Sequence, residues 1–202
     1  MPTAPALREA LRLQRRATSP ARRHHAAEQL ARRVTSLRIF TSAARIAGYL
    51  PVDGEIDPLP LLRSALEMGK SIYLPVLTGT VREPMRFAPY HANSALKPNR
   101  FGIPEPQVAA KELLAPQCLD LVFTPLVAFD LRGNRLGMGG GFYDRSFAFL
   151  RHPGHLPKPH LVGLAFDLQK VDTLSPQPWD VPLDIIVTES TVYTADHHRS
   201  AT

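Results

Sequence analysis

Four glycines stand in five positions, Gly137-Met138-Gly139-Gly140-Gly141, and Phe142-Tyr143-Asp144-Arg145 follows directly. Glycine accepts positive φ and lets the main chain approach a ligand closely. Backbone N–H groups in such a loop, together with a helix start behind it, can surround an anion. Arg135 and Arg145 bracket the loop with guanidinium groups suited to phosphate. Two common phosphate signatures do not fit. A Walker A loop needs Gly-Lys-Ser/Thr, but Gly141 precedes Phe142; a dinucleotide fingerprint begun at Gly137 or Gly139 needs glycine where Phe142 or Asp144 stands. On glycine count alone, a tightly turned surface loop reads as well as a ligand loop. Asp144 shifts the reading. A carboxylate at the end of a phosphate loop repels the ligand unless a cation lies between them, and Mg²⁺ takes one or two carboxylates plus phosphate oxygens.

The elements that must position this loop are readable from spacing. Leu7, Ala10, Leu11, Gln14 and Ala17 follow helical periodicity, so residues 5–17 read as a helix with a modest apolar stripe. Ser19 can cap a second helix, Pro20 fits its first position, and Ala27, Leu30, Ala31, Val34 and Leu37 form its stripe. Residues 46–50 read as a strand, Asp53-Gly54 as a turn, 58–68 as a helix stopped by Gly69, and 72–76 as another strand. Residues 85–90 suit an outer strand and 97–106 a Pro-rich loop. Residues 121–129 suggest a buried strand interrupted at Pro125. A helix over 142–150, strands over 161–166 and 185–188, and a frayed end over 194–202 complete the pattern. Apolar strands separated by helices indicate an α/β fold of three layers, a mainly parallel central sheet with helices on both faces. Ligands of such sheets collect at the carboxyl ends of strands, where the glycine loop falls.

Charge is unevenly spread. Residues 1–45 carry ten arginines and no lysine against Glu9 and Glu28, while the rest of the chain is slightly acidic. A solvated basic helix face, an anion site and an Arg-rich transit segment all fit that composition. The transit reading is disfavoured because the segment runs into the first strand without a polar linker.

The segment Asn134-Arg135-Leu136-Gly137-Met138-Gly139-Gly140-Gly141-Phe142-Tyr143-Asp144-Arg145 resembles the signature of the 5-formyltetrahydrofolate cyclo-ligase family, also called methenyltetrahydrofolate synthetases. Tyr49-Leu50-Pro51 with Glu55-Ile56-Asp57, Asn99 to Pro106, and Trp179-Asp180-Val181-Pro182-Leu183-Asp184 resemble its other landmarks, in the same order. The resemblance spans roughly residues 7–190. It implies a NagB/RpiA/CoA-transferase-like architecture, a single domain over 1–193 with basic N-terminal helices, and a disordered tail over 194–202. It also implies a reaction: ATP phosphorylates the formyl oxygen of 5-formyltetrahydrofolate, N10 closes the ring, and ADP and phosphate leave.

Residue roles follow from the same resemblance. Arg8, Arg135, Leu136, Gly137, Met138, Gly139, Gly140, Gly141, Phe142 and Tyr143 would bind ATP. Leu50, Glu55, Phe101 and the stretch from Met138 to Phe142 would face the folate. Arg135, Tyr143 and Asp144 would carry the catalysis, and Asp144 and Asp180 would hold Mg²⁺. The chain departs from the family at Ala4, where a basic residue is usual, and at Phe142, where tyrosine is common. In isolation, the favoured readings are simpler, Asp180 as a turn acid, Glu55 as part of a solvated acidic turn and Phe101 as a loop anchor, and Tyr143 can be packing under the helix.

Other functions are constrained. The lone Cys118 excludes an internal disulfide and a Cys-rich zinc site, and it fits a reducing, cytoplasmic setting. No apolar run reaches the length of a membrane span. His152 and His155 have i, i+3 spacing, but Pro153 and Gly154 break any helix there, so loop histidines are expected rather than a metal site. A nucleic-acid module would need aromatics among its arginines, and residues 1–38 have none. The expected partners are ATP and a folate, polyglutamylated or not, acting on a monomer without nucleic acid or membrane. The alternatives are a paralogue with another substrate, a non-catalytic nucleotide- or RNA-binding module, and a sugar-phosphate isomerase of similar architecture.

Overall fold

Strands that are apolar on both faces cannot turn a side to water, so they end up in the middle of a covered sheet. In the computed structural model, which describes residues 3–80, 83–152 and 158–195, this is the fate of β1 (Arg45–Ala47), β6 (Leu121–Pro125), β9 (His160–Leu164) and β10 (Ile185–Val187). With β2 (Ser71–Val76) they form a parallel set. The edges are antiparallel, β3 (Arg86–Tyr90) beside β2 and β11 (Val192–Thr194) beside β10. The spatial order is β11-β10-β9-β6-β1-β2-β3. The chain therefore goes from β1 to β2 on one side and later lays β6 on the other. A crevice opens at such a switch, above the carboxyl ends of the two strands.

Helices α1 (Ala4–Ala17), α2 (Pro20–Thr35), α3 (Arg38–Ser42) and α4 (Leu59–Glu67) precede the second half of the sheet. Ser19 Oγ accepts the Arg22 N–H at 3.4 Å and Pro20 fills the first turn, as the sequence predicts. Leu30 and Val34 of α2 and Leu61 and Leu62 of α4 close over Ile46, Ile72, Leu121 and Phe123. A Cβ on Gly48 would lie 2.7 Å from Leu62 Cδ1, so glycine there allows α4 to sit directly on the chain leaving β1. Gly69, at φ +74°, ends α4. The opposite face is covered by Phe147 of α5 (Phe142–Phe147) with Phe129, Leu119, Val181 and Leu183. Each such fully buried side chain contributes about 1.5–3 kcal/mol.

Several expectations need correction. On α1 the buried positions are Leu11 and Arg15, whereas Ala10, Gln14 and Ala17 are exposed. An ion pair, not apolarity, sets the inner face. Residues 97–106 are not all loop: their ends pair as β4 (Leu96–Pro98) and β5 (Pro104–Pro106). The strand expected over 121–129 leaves the sheet after Pro125, and β7 (Ala128–Phe129) pairs instead with β8 (Arg135–Leu136). The carbonyl of Leu126 is taken by side chains, Arg15 Nη1 at 3.2 Å and Gln169 Nε2 at 2.6 Å, so no neighbouring strand is needed there. The helix after the glycine loop is α-helical for six residues and then tightens to a 3₁₀ turn, Ala148–Arg151. Thr194 lies in β11, opposite Ile185; residues 196–202 and His155 lie outside the described residues. Among the described residues no helix is long and apolar enough to cross a membrane.

Candidate functional site

The carboxyl ends of β1, β2 and β6 border a cleft of about 1070 Å³. Each residue to which the resemblance gives a role lines it: Arg8 from α1, Leu50 and Glu55 after β1, Phe101 between β4 and β5, the run from Arg135 to Asp144, and Asp180; Arg145, expected to bracket the loop, does not line it and instead lies over the Phe142 ring.

The loop after β1 is shaped by charge. Asp53, at φ +54°, and Gly54, at φ +74°, make the turn. Three arginines of α1 converge on the Asp53 carboxylate: Arg12 Nε at 2.6 Å, Arg15 Nη2 at 3.0 Å, and Arg16. Arg15 is the buried member, 1% exposed, and it also bonds the Asp53 carbonyl at 3.0 Å and the Leu126 carbonyl. One guanidinium thus ties the loop after β1 to the chain after β6, across the switch point. Burial pushes the Asp53 carboxyl up, but the paired arginines more than reverse this and hold it below the ordinary range. Three of the ten N-terminal arginines thus serve to hold this loop, and one of them, Arg15, is buried.

Glu55 is 8% exposed, and its Oε2 accepts the Val52 N–H at 3.1 Å. Arg15 Nη1 stands 3.9 Å from its Oε1. Burial raises the Glu55 carboxyl from its ordinary 4.5 to about 7, against the opposing pull of the Val52 amide and Arg15, with Asp53 adding to the rise. A carboxyl poised near neutrality at the wall of a cleft is a mark of a functional site.

The glycine loop is built to leave its amides open. Behind it, the buried Asp130 carboxylate fixes the β7–β8 hairpin by accepting from the Arg132 and Asn134 amides, the Asn134 side chain and the Leu174 amide. The Gly137 carbonyl is held by Arg8 Nε at 2.8 Å and the Gly140 carbonyl by Arg145 Nη2 at 2.6 Å. Among the described residues, no acceptor is hydrogen-bonded to the N–H groups of residues 137–141. Unpaired main-chain donors that line a cavity are a site for an anion or for water. Gly139 sits at φ +98° and Gly141 at φ +64°, and a Cβ on Gly137 or Gly139 would meet nothing within 4 Å. Those two glycines border open space rather than packing.

Asp144 is not a free carboxylate. Its Oδ1 accepts Arg135 Nη2 at 2.5 Å and the Val181 N–H at 3.1 Å, while Arg135 Nη1 donates to the Val181 carbonyl. Asp180 Oδ2 accepts the Gln177 N–H at 2.8 Å. Among the described residues no three His, Cys, Asp or Glu side chains cluster as a self-sufficient metal site. Two carboxylates on one cleft wall fit an ion that takes its remaining ligands from phosphate and water, as Mg²⁺ does. The Tyr143 hydroxyl is pushed well above its ordinary range by burial first and the Glu55 charge second, against Arg135, so it stays a proton donor. Its ring also stacks on Phe147, centroids 6.3 Å apart.

Phe101 is exposed and stands edge-on to Phe142 at 5.9 Å. Asn99 Oδ1 accepts the Phe101 and Ile103 amides, and Asn99 Nδ2 donates to the buried Glu105 at 2.7 Å. Sequence reasoning misses Glu105, Arg15, Asp53 and the wall at 171–177. The only available signal for the arginine cluster was the spacing of Arg12, Arg15 and Arg16 on one helix ahead of an Asp-Gly turn.

The family model of 5-formyltetrahydrofolate cyclo-ligases matches residues 1–189. A 5-formyltetrahydrofolate cyclo-ligase of Escherichia coli K12 is 40% identical over 183 residues, which is 91% of this chain and 98% of the relative. One from Haemophilus influenzae is 42% identical over 174 residues, 85% of this chain and 91% of its own. Among solved structures, the 5,10-methenyltetrahydrofolate synthetase of Aquifex aeolicus superposes with a TM-score of 0.79 at 32% identity, covering 98% of this chain and 95% of the other.

Proposed function

The chain belongs to the 5-formyltetrahydrofolate cyclo-ligase family, and from that membership and the cleft we propose that it spends ATP to close 5-formyltetrahydrofolate into 5,10-methenyltetrahydrofolate. The observation that carries the ATP half is the run of amides over residues 137–141 that have no acceptor among the described residues, in a loop that lines the same cleft as Glu55. The formyl oxygen attacks the γ-phosphorus and the bond to ADP breaks. N10 then attacks the formyl carbon, the carbon–oxygen bond breaks, phosphate departs with the electron pair, and the N10 proton is released. Phosphoryl transfer of this kind is mostly positioning and charge stabilisation.

The loop amides take phosphate oxygens, and Arg8 and Arg135 add charge beside them. Leu50, Phe101 and the apolar parts of Met138 and Phe142 wall the folate, while Gly139, Gly140 and Gly141 let it lie close to the triphosphate. The Tyr143 hydroxyl donates a hydrogen bond into the site. Asp144 and Asp180 would hold Mg²⁺, which when bound would neutralise phosphate charge. Glu55 suits the pterin ring, whose N3–H and amino group are donors that a carboxylate accepts at both oxygens. The direct test mixes the protein with 5-formyltetrahydrofolate, Mg²⁺ and ATP and follows methenyltetrahydrofolate by absorbance. Product formed equally well without ATP would refute the proposal.

Two variants probe the halves of the site. Gly137→Ala adds a methyl at ordinary φ into open space, so the Tm should stay within a degree or two while the KM for ATP rises about tenfold or more. An unchanged KM would remove Gly137 from the phosphate contacts. For Glu55, binding of the pterin needs the ionised carboxylate, so the KM for folate should fall as pH rises through about 7. Glu55→Gln should erase that inflection and leave the KM for ATP alone. The sign for stability is opposite. A carboxyl whose folded value is raised favours the native state at low pH, so the unliganded protein should lose stability between about 4.5 and about 7. Loss of the folate inflection without any change in this stability profile would place the titrating group elsewhere.

A further inference from the structure

Trp179 is the single tryptophan of the chain, it is 60% exposed, and it lines the cleft. It stands on a pinned turn rather than a loose one. Pro176 and Pro178 fix two φ angles, the Gln177 amide donates to Asp180 Oδ2 and the Asp180 amide to the Gln177 carbonyl, and Arg151 Nη1 holds the Pro178 carbonyl. No ring or cation among the described residues stacks on the indole. A flat aromatic surface on a pinned stretch of backbone, unpartnered and lining a cleft, is prepared for a flat partner, because the backbone has little freedom to lose on binding.

Its place in the fold selects the partner. Two residues further on, Val181 is bonded through both its amide and its carbonyl to the Arg135–Asp144 pair at the end of the glycine loop. Two residues span at most about 7 Å, so the backbone of Trp179 stays at the phosphate end of the cleft. Glu55, the acceptor that suits the pterin, lies instead in the loop after β1, held by the Val52 amide and beside Arg15 of α1. Val171 and Leu174, which line the same cleft, pack with Leu7 of α1 and Leu136 against Leu11, Val127 and Ala128. We propose that Trp179 is the platform on which the base of the nucleotide stacks, so that a purine ring lies on the indole while the glycine loop takes the phosphates. This rests on the ATP reading above.

The lone tryptophan makes the contact directly observable. Adding ADP should quench or shift the emission of the wild-type protein, whereas tripolyphosphate, which carries the charge without the base, should leave it unchanged. Trp179→Ala should raise the KM for ATP roughly tenfold, as expected for loss of base–aromatic stacking, with the KM for folate unchanged and Trp179→Phe recovering most of the loss. Because the side chain is exposed, the Tm of both variants should match wild type. Emission that ignores ADP, or responds equally to tripolyphosphate, overturns the platform, as does a Trp179→Ala variant whose KM rises for folate instead. These results are separable from failure of the ATP reading, which would show as wild-type turnover that does not need ATP and would remove the platform with it.

Discussion

Asp144→Asn should lower kcat by roughly 10²- to 10³-fold, the scale seen when one group that stabilises transferring charge is removed. The change is isosteric. An asparagine oxygen can still accept the Val181 N–H at the position where Asp144 Oδ1 now accepts it at 3.1 Å. Arg135 keeps its bond to the Val181 carbonyl. The scaffold therefore loses one charge-assisted hydrogen bond, about 1.5–3 kcal/mol, and the Tm should fall by about 3–12 °C. What the variant cannot supply is negative charge at the end of the glycine loop, where the proposed Mg²⁺ would be held. The Mg²⁺ concentration needed for half-maximal rate should rise along with the fall in kcat, while the KM for folate stays near its original value. Initial-rate measurements at several Mg²⁺ concentrations decide the matter. A variant with near-normal kcat and an unchanged Mg²⁺ requirement would reduce Asp144 to a clip between the glycine loop and Val181. A loss of rate that tracks only a loss of folded protein would say the same.

The pattern of what was legible in the sequence follows from the range of the forces involved. Helix α2 was legible in its cap, its proline and most of its stripe because these are local, although Leu37, expected on that stripe, lies beyond its end and precedes α3. The inner strands were legible for a similar reason: Leu121, Val122 and Phe123 are apolar together because both faces are covered. The glycine loop stood out by composition. The structure adds what composition cannot convey, that the loop's carbonyls are engaged by Arg8 and Arg145 while its amides are not. Helix α1 was readable as a helix but not in its orientation. A rule that turns apolar residues inward favours Ala10 and Ala17, yet a buried ion pair turns Arg15 inward instead. That pair joins residues 38 positions apart, and the Arg15 bond to Leu126 spans 111. Likewise the exit of the chain from the sheet after Pro125 depends on donors from α1 and from Gln169, neither of which is near in sequence.

That same cluster sets the largest expected effect on stability. Asp53→Ala should destabilise the protein by about 3 kcal/mol, because breaking a buried pair leaves the other charge without compensation. The charge left behind is that of Arg15, whose side chain is 1% exposed and which would retain only two carbonyls and a distant Glu55 oxygen at 3.9 Å. In a domain of this size the Tm should drop by about 6–12 °C. Arg12→Ala and Arg16→Ala remove partners that are 32% and 51% exposed, so each should cost less than about 1 kcal/mol. The contrast is the test: equal effects from all three substitutions would mean that burial of Arg15 is not what makes the cluster matter. Asp53 carries a second consequence for function. Its charge helps hold the Glu55 carboxyl up near neutrality, and Arg15 pulls the other way. Without Asp53, Arg15 has Glu55 as its remaining anionic neighbour, and the Glu55 carboxyl should fall below about 7. The pH at which folate binding tightens should move down with it, measured at a temperature where Asp53→Ala is still folded. An inflection that stays in place would separate Glu55 from the arginine cluster and leave Asp53 a purely structural anchor for α1.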